Sequence, residues 1–401
     1  MGTLRDRMMD LVAGIRARAA DTEAQRRVAP ESIAELSGAG LFRAFVPRSY
    51  GGDERSPGEV YEAVVEVARA CTSTGWVASL LTAHNFMLAL LDRTAQDEIF
   101  AAGPDVLLAS SVAPMGVATR VDGGYRLTGK WSFASGVDHA KWMMLGSSIK
   151  DEPPGPPPPG ASTFPGLSSQ GRIFFISSAD YTIQDDWHVA GLRGTGSKTI
   201  AVADAFVPAR RVLPLPSIVD GTAPGFALHT SPLYRLPWSP LFNSAFPPVA
   251  LGTALAMLDG FRSYIGSRVN SFSGKGYRAN PGSLMRLAEA ATRVDSARAL
   301  HRRDVAMLDA GAAGTPVPRG ASERIIYDAG CVVHACSEAI DRMYRGSGGR
   351  SLYESSALQR HVRDINAMTQ HMMADLDLYG EAYGKVLVET SDYTFGADEA
   401  R

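Results

Sequence analysis

The residues best suited to chemistry are scattered along the chain rather than gathered in one motif. They are Trp76, His84, Ser110, Ser111, Trp131, Ser135, His139, Trp187, Ser197, Arg268, Glu354 and His371. An imidazole that titrates near neutral pH can move a proton or hold a hydrogen bond, which singles out His84, His139 and His371. Hydroxyls such as Ser110 and Ser135 can orient a bound group, and the planar fork of Arg268 suits a phosphate. Each also has a purely structural reading. His84 lies in an apolar run, where a core histidine would sit, and Ser135 precedes a glycine at a turn. Arg268 suits a solvated helix face, and His371 can cap a helix or pair with Asp375.

Familiar motifs are missing. There is no G-x-G-x-x-G after a strand, no Walker loop, no H-E-x-x-H and no G-x-S-x-G nucleophile elbow. Gly191-Leu-Arg-Gly-Thr-Gly196 looks like a phosphate loop, but it precedes a strand-like segment from Lys198 to Ala203. A dinucleotide loop must open a helix, so that its free amides face the phosphate. Cys331-Val-Val-His334-Ala-Cys336 invites a metal. On a helix, however, Cys336 would point away from the other two and no fourth ligand is evident, so buried small cysteines are the preferred reading.

The elements that must position these residues fall into three stretches. Leu4, Met8, Leu11, Val12 and Ile15 recur at helical spacing, and Val60 to Cys71 and Trp76 to Leu91 read as further helices, the last one buried. From Val106 to about Val212 come short β-type runs: Tyr125–Thr128, Trp142–Leu145, Arg172–Ile176, Thr199–Val202 and Ala205–Val207. Their spacing predicts a small barrel or sandwich. Helical texture returns at Ala245, with stripes at Ala250, Leu251, Ala254, Leu258 and Phe261, and at Leu284, Leu287, Ala288, Ala291 and Val294. The expected division is 1–107 helical, 108–215 β and 216–401 a helical bundle, an α+β chain. The proline-rich run Pro153-Pro-Gly-Pro-Pro-Pro-Pro-Gly160 reads as a surface loop tip.

With 40 Lys+Arg against 42 Asp+Glu in 401 residues, the formal charge is −2, which argues against a non-specific nucleic-acid binder. Three cysteines rule out a disulfide framework and point to a reducing, cytoplasmic setting. No secretory leader is read at the N-terminus, and no membrane span is expected.

The order of helices, β-segment and helical bundle resembles the acyl-CoA dehydrogenase fold over essentially the whole chain. The β-segment carries Gly129-Lys-Trp-Ser-Phe-Ala-Ser-Gly136 and Gly191-Leu-Arg-Gly-Thr-Gly-Ser197. Within that fold the chain is most similar to two-component flavin-dependent monooxygenases of aromatic compounds, such as those acting on a hydroxylated seco-steroid or on 4-hydroxyphenylacetate. The strings that carry this are Ser73-Thr-Gly-Trp-Val77, Ala83-His-Asn85, Ala113-Pro-Met-Gly116, Ala134-Ser-Gly-Val-Asp-His-Ala140 and Trp187-His-Val-Ala-Gly-Leu-Arg-Gly-Thr-Gly-Ser197. The resemblance implies reduced flavin delivered by a separate NAD(P)H-dependent reductase, FMNH2 first and FADH2 second. Oxygen would add to give a flavin C4a-hydroperoxide, which hydroxylates a phenolic or polycyclic aromatic of the kind met in steroid breakdown or aromatic polyketide tailoring. It also implies a homotetramer.

By the same resemblance Ser135 lies beside flavin N5, and Trp131, Trp187, Thr195 and Ser197 line the ring. Arg268, in Arg268-Val-Asn-Ser-Phe-Ser-Gly274, reaches the flavin phosphate of a neighbouring subunit, while Ser347, Gly348, Gly349 and Gln359 help close the site. His371 is the expected catalytic histidine. His84 and Ser110 hold the substrate hydroxyl, with Trp76 beside them. A rival reading is an acyl-CoA dehydrogenase with Glu354, in Tyr353-Glu-Ser-Ser-Ala-Leu-Gln-Arg360, as base. Against it, the dehydrogenase string Thr-Glu-Pro-x-Ala-Gly-Ser-Asp is replaced by Ala109-Ser-Ser-Val-Ala-Pro-Met-Gly116. A third reading is a relative that oxygenates nitrogen or sulfur.

Overall fold

Local signals start the first helices where the polar residues place them. Thr3 and Asp6 form a reciprocal capping box at the head of α1 (Leu4–Ala17), and Ser56 and Glu59 do the same for α4 (Pro57–Ala70), which also has proline in its first turn. Between them lie α2 (Ala19–Ala24) and α3 (Pro30–Gly38). Helix α5 (Thr72–Leu88) follows, and all of its residues are buried. So complete an enclosure requires small side chains where helices cross. A Cβ on Gly75 would stand 2.5 Å from Ala68 Cα, so only glycine lets α5 approach α4. Helix α6 (Arg93–Ile99), capped by Asp92, ends this stretch.

This is a computed structural model, and it describes residues 2–152, 171–269, 274 and 276–389. The proline-rich run at 153–160 lies outside the described residues.

Among the described residues seven strands follow: β1 (Leu108–Val121), β2 (Gly124–Ala134), β3 (Trp142–Ile149), β4 (Arg172–Ser177), β5 (Thr182–Gln184), β6 (Lys198–Pro208) and β7 (Val212–Pro214). Their hydrogen bonds make one mixed sheet in the order β5-β6-β2-β1-β3-β4-β7, with β1 and β3 parallel and the other pairs antiparallel. The expected β-segment is thus built on a single mixed sheet. The two runs at Thr199–Val202 and Ala205–Val207 are one strand, and β1 spans a register shift between Ser111 and Gly116 that bends it.

The remaining helices are α7 (Leu215–Val219), α8 (Trp238–Asn243), α9 (Pro247–Ser267), α10 (Pro281–Ala312), α11 (Ala321–Tyr344), α12 (Ala357–Met368) and α13 (Leu376–Glu389). The stretch Trp238–Ser267 is long and apolar enough to cross a membrane, contrary to expectation, but 89% of its most apolar window is buried in the protein. On α10 the buried face is Ala290, Val294, Ala297, His301, Val305 and Leu308. Leu284 and Ala288, expected in the core stripe, are exposed.

Candidate functional site

Helix α5, strand β2, the loop before β6 and the turn after α12 converge on one region. Trp76 and His84 stand eight residues apart on α5, about 12 Å along its axis. Each anchors one end of the site.

At the first end a chain of hydroxyls runs away from α5. The Trp76 Nε1–H donates to Ser135 Oγ at 3.0 Å, Ser135 and Ser197 hydroxyls lie 2.7 Å apart, and Ser197 and Thr195 lie 2.6 Å apart. Thr195 Oγ1 donates to the Leu192 carbonyl at 2.8 Å. A carbonyl can only accept, so the direction of the whole chain follows: Ser197 donates to Thr195 and Ser135 donates to Ser197. Ser135 Oγ therefore keeps a lone pair and no free proton. The Trp187 indole N–H also donates to Leu192 O, at 3.1 Å.

Next to Ser135, Phe133 adopts φ +65° and is 69% exposed, with its ring edge-on to Trp187 at 6.1 Å. A bulky residue held in left-handed backbone with its ring presented outward is a strained arrangement of the kind found at ligand sites. The sequence reading gives Phe133 no role. Its positive φ, the one signal that marks it, is invisible in the sequence.

Trp131 lies elsewhere. Its side chain is fully buried against β1 and β3, donating to Gly146 O at 2.7 Å, and a Cβ on Gly116 would stand 2.0 Å from the indole. Strand alternation explains the correction: Trp131 and Phe133 are two apart, but the backbone turn at Phe133 breaks the pleat. Trp131 thus fills the sheet interior and presents no face to a ring.

At the second end, His84 Nδ1 lies 2.8 Å from the Leu108 carbonyl and must carry the proton there. Its Nε2 then accepts from Ser110 Oγ at 2.9 Å. Ser111, the neighbour, is turned away and donates to Ser132 O. His139 donates to Val28 O and takes no part.

His371 has the opposite polarity. It caps the short turn Met372–Ala374, with Nδ1 accepting the Met373 N–H at 3.2 Å, so its Nε2 carries the proton. The ring is packed 5.4 Å from Trp76 and 4.8 Å from Phe246. Burial holds both His371 and His84 down to about 4, so each is neutral at pH 7. The capping reading of His371 thus holds through Nδ1 alone and leaves the Nε2–H for another partner.

An apolar wall joins the two ends. Phe246 packs edge-on against Phe242, which stacks on His84 at 5.5 Å and on Trp238. These three aromatics went unremarked in the sequence, although 242 and 246 have the i, i+4 spacing of one helical face.

A second cluster forms at the C-terminal end of α9. The Arg268 guanidinium lies 5.3 Å over the Tyr264 ring, and its buried Nε has no hydrogen-bond partner among the described residues. Gly348, at φ +65°, lets the chain pass Tyr264: a Cβ there would stand 2.8 Å from the phenol oxygen. Ser347 is buried and donates to Met343 O, and Gly349 begins the next turn.

Gln359 is bonded within its own segment. Its amide donates to the Glu354 and Ser356 carbonyls and accepts from Arg363, so it ties its own loop together. Glu354 is exposed. His334 bonds to the Ala374 carbonyl and Cys336 is buried, on different faces of α11.

Comparison with known proteins adds to this geometry. Residues 3–99 match the family described as acyl-CoA dehydrogenase, N-terminal domain, and residues 244–376 match its C-terminal domain. The chain is 36% identical over 381 residues to the oxygenase subunit HsaA of a flavin-dependent monooxygenase from Rhodococcus jostii, covering 94% of this chain and 96% of that one. It is 34% identical over 396 residues to the oxygenase component of an FADH(2)-dependent resorcinol hydroxylase from a Rhizobium species, covering 95% and 94%. The crystal structure of a 3-HSA hydroxylase from Rhodococcus superposes with a TM-score of 0.88 at 34% identity, covering 98% of each chain.

Proposed function

Because this chain belongs to the acyl-CoA dehydrogenase-fold oxygenase components of flavin-dependent monooxygenases, we propose that it hydroxylates a phenolic or polycyclic aromatic substrate with dioxygen and reduced flavin. Its relatives are oxygenase components of two-component systems, so the reductant comes from a separate NAD(P)H-dependent flavin reductase. Reduced FMN is the proposed form, with reduced FAD the alternative carried by the resorcinol hydroxylase. Free thiols at Cys71, Cys331 and Cys336 fit a cytoplasmic setting.

The observation that carries this reading is the fixed direction of the hydroxyl chain. Reduced flavin bears a proton on N5, so it needs an acceptor there, and Ser135 Oγ has a lone pair and no proton to offer. Thr195 and Ser197 would hold Ser135 in that state, and Phe133 and Trp187 would flank the ring. The Arg268 Nε, without a partner among the described residues, fits a flavin phosphate, and we assign that phosphate to a neighbouring copy in a homotetramer, with Ser347, Gly348 and Gly349 shaping the same approach.

When bound, reduced flavin supplies the electrons that activate dioxygen. The chain's own residues do the rest. A phenol lying on Phe242 and Phe246 would donate its O–H to Ser110, whose own proton passes to His84 Nε2, while Leu108 O holds the Nδ1–H in place. That withdrawal raises electron density on the ring carbons ortho and para to the oxygen. His371, presenting an N–H, donates to the oxygen being transferred or to the leaving oxygen. Trp76 and Phe246 exclude water from the same point. The dehydrogenase reading needs a carboxylate enclosed with the substrate, whereas Glu354 is exposed.

The test supplies chemically reduced FMN or FAD, labelled dioxygen and a panel of phenols, and follows label in product by mass spectrometry and hydrogen peroxide by a peroxidase assay. Labelled hydroxylated product from the wild type supports the reading, and bleaching of bound FAD by an acyl-CoA would replace it. In Ser135→Ala the peroxide share should rise about tenfold, as expected for loss of one hydrogen bond near the ring. An unaltered product-to-peroxide ratio would remove Ser135 from the site.

A further inference from the structure

The loop carrying Thr195 and Ser197 is held by α12 as well as by the sheet that follows it. Gly191 lies on the α12 backbone so closely that a Cβ would stand 1.9 Å from Arg363 O, and Arg363 Nη1 donates to Ala190 O at 2.9 Å. Between these contacts, the Leu192 N–H donates to the buried Asp364 carboxylate at 2.7 Å. Leu192 itself is in left-handed backbone, φ +53°, a conformation that a branched residue keeps only when its surroundings enforce it.

Leu192 is therefore the hub of the loop. Its amide is gripped by Asp364, and its carbonyl is the terminal acceptor for Thr195 and Trp187. Every hydroxyl from Thr195 back to Ser135 takes its direction from that carbonyl. Nothing in the proposed chemistry uses Asp364 directly, yet a carboxylate buried this deeply is costly unless it has a specific task.

The charges around it are arranged to keep it in place. Glu23 on α2 bridges Arg363 at 2.5 Å and Arg360 at 3.6 Å, so both arginines are engaged outside the Leu192 contact. Burial raises Asp364 to about 6, with the Leu192 amide, Arg363 and Arg360 acting against that rise and Glu23 adding to it.

We infer that Asp364 is a positioning residue for the reaction: by fixing the strained Leu192 peptide it sets the place and direction of the Thr195–Ser197–Ser135 hydroxyl chain. This rests on the reading of Ser135 as the partner of reduced flavin. It predicts that a residue on α12 that meets no substrate controls how much activated oxygen reaches product.

The test compares the purified full-length wild type with Asp364→Ala and Asp364→Asn. Asparagine keeps an oxygen acceptor for the Leu192 amide, whereas alanine removes it. The first readout, without flavin, is amide hydrogen exchange in the peptide spanning 187–197. Exchange at Leu192 should be about tenfold faster or more in Asp364→Ala, as expected for loss of a hydrogen bond to a charged acceptor, and near wild type in Asp364→Asn. The second readout is the ratio of hydroxylated phenol to hydrogen peroxide under excess reduced flavin. It should fall in Asp364→Ala and recover in Asp364→Asn. Unchanged exchange in Asp364→Ala overturns the inference. Faster exchange with an unaltered product-to-peroxide ratio overturns it as well, because the loop would then be held for no purpose at the site. A wild type that hydroxylates no phenol brings down the proposed function instead, and the exchange contrast then decides alone whether Asp364 holds the loop.

Discussion

His84 and His371 are alike in type and in burial, and they differ in what their first nitrogen touches. A carbonyl at Leu108 makes His84 an acceptor toward the site, and a backbone amide at Met373 makes His371 a donor. The pair can thus serve opposite ends of one proton transfer without either being charged at rest. A consequence for pH follows. Both imidazoles are held down to about 4 by burial, so neither changes charge between pH 6 and 8 in the free protein. The kcat/KM profile for a phenol that ionises above pH 9 should be flat across that interval. An acid limb near 6.5 that disappears in His84→Asn would show that His84 titrates in the free enzyme, and the acceptor role would have to be revised.

Among the elements, α5 and α10 show how far pattern reasoning reaches. The run from Trp76 to Leu91 reads as a buried helix because nothing in it is charged, and α5 is buried throughout. The same reasoning misplaces the start of α10. Leu284 and Met285 are 46% and 59% exposed, and Val269, beside Arg268, is 56% exposed. Apolar residues at helical spacing say only that a face is to be covered, not whether this chain covers it. In the proposed tetramer that face meets another copy. Leu284→Glu should lower the assembled mass measured by light scattering and weaken reduced-FMN binding by about tenfold or more, as loss of an arginine–phosphate contact would. A variant of wild-type mass and flavin affinity would place Arg268 outside any shared site.

For the whole molecule, burial of titratable groups ties stability to pH. His301 on α10 is buried, its Nε2 lacks a hydrogen-bond partner among the described residues, and desolvation lowers it to about 4. The unfolded chain binds a proton at this residue below about 6.5, and the folded chain resists doing so. Its contribution to stability is therefore intact above 6.5 and is lost as pH falls toward 4, where the difference amounts to roughly 3 kcal/mol. His301→Gln should lessen the decline of Tm between pH 7 and 4.5 relative to the wild type, measured by calorimetry. Parallel declines would mean that His301 is protonated without cost in the folded protein.

The sequence alone determined the order of helices, strands and helices, the burial of α5 and the residue types that gather at the site, because periodicity, capping and turn chemistry act over a few residues. It also carried the family, through strings such as Ala134-Ser-Gly-Val-Asp-His-Ala140 and Trp187 to Ser197. What only the tertiary structure decided is direction and facing. Trp131 is fully buried while Phe133, two residues on, is exposed, because the positive φ at Phe133 breaks the alternation of the strand. The two histidines took opposite polarity from carbonyl and amide neighbours 24 residues away in one case and two in the other. Asp364 reached Leu192 across 172 residues. Hydrogen bonds of this kind depend on where separate segments end up in space, and spacing along the chain does not encode that.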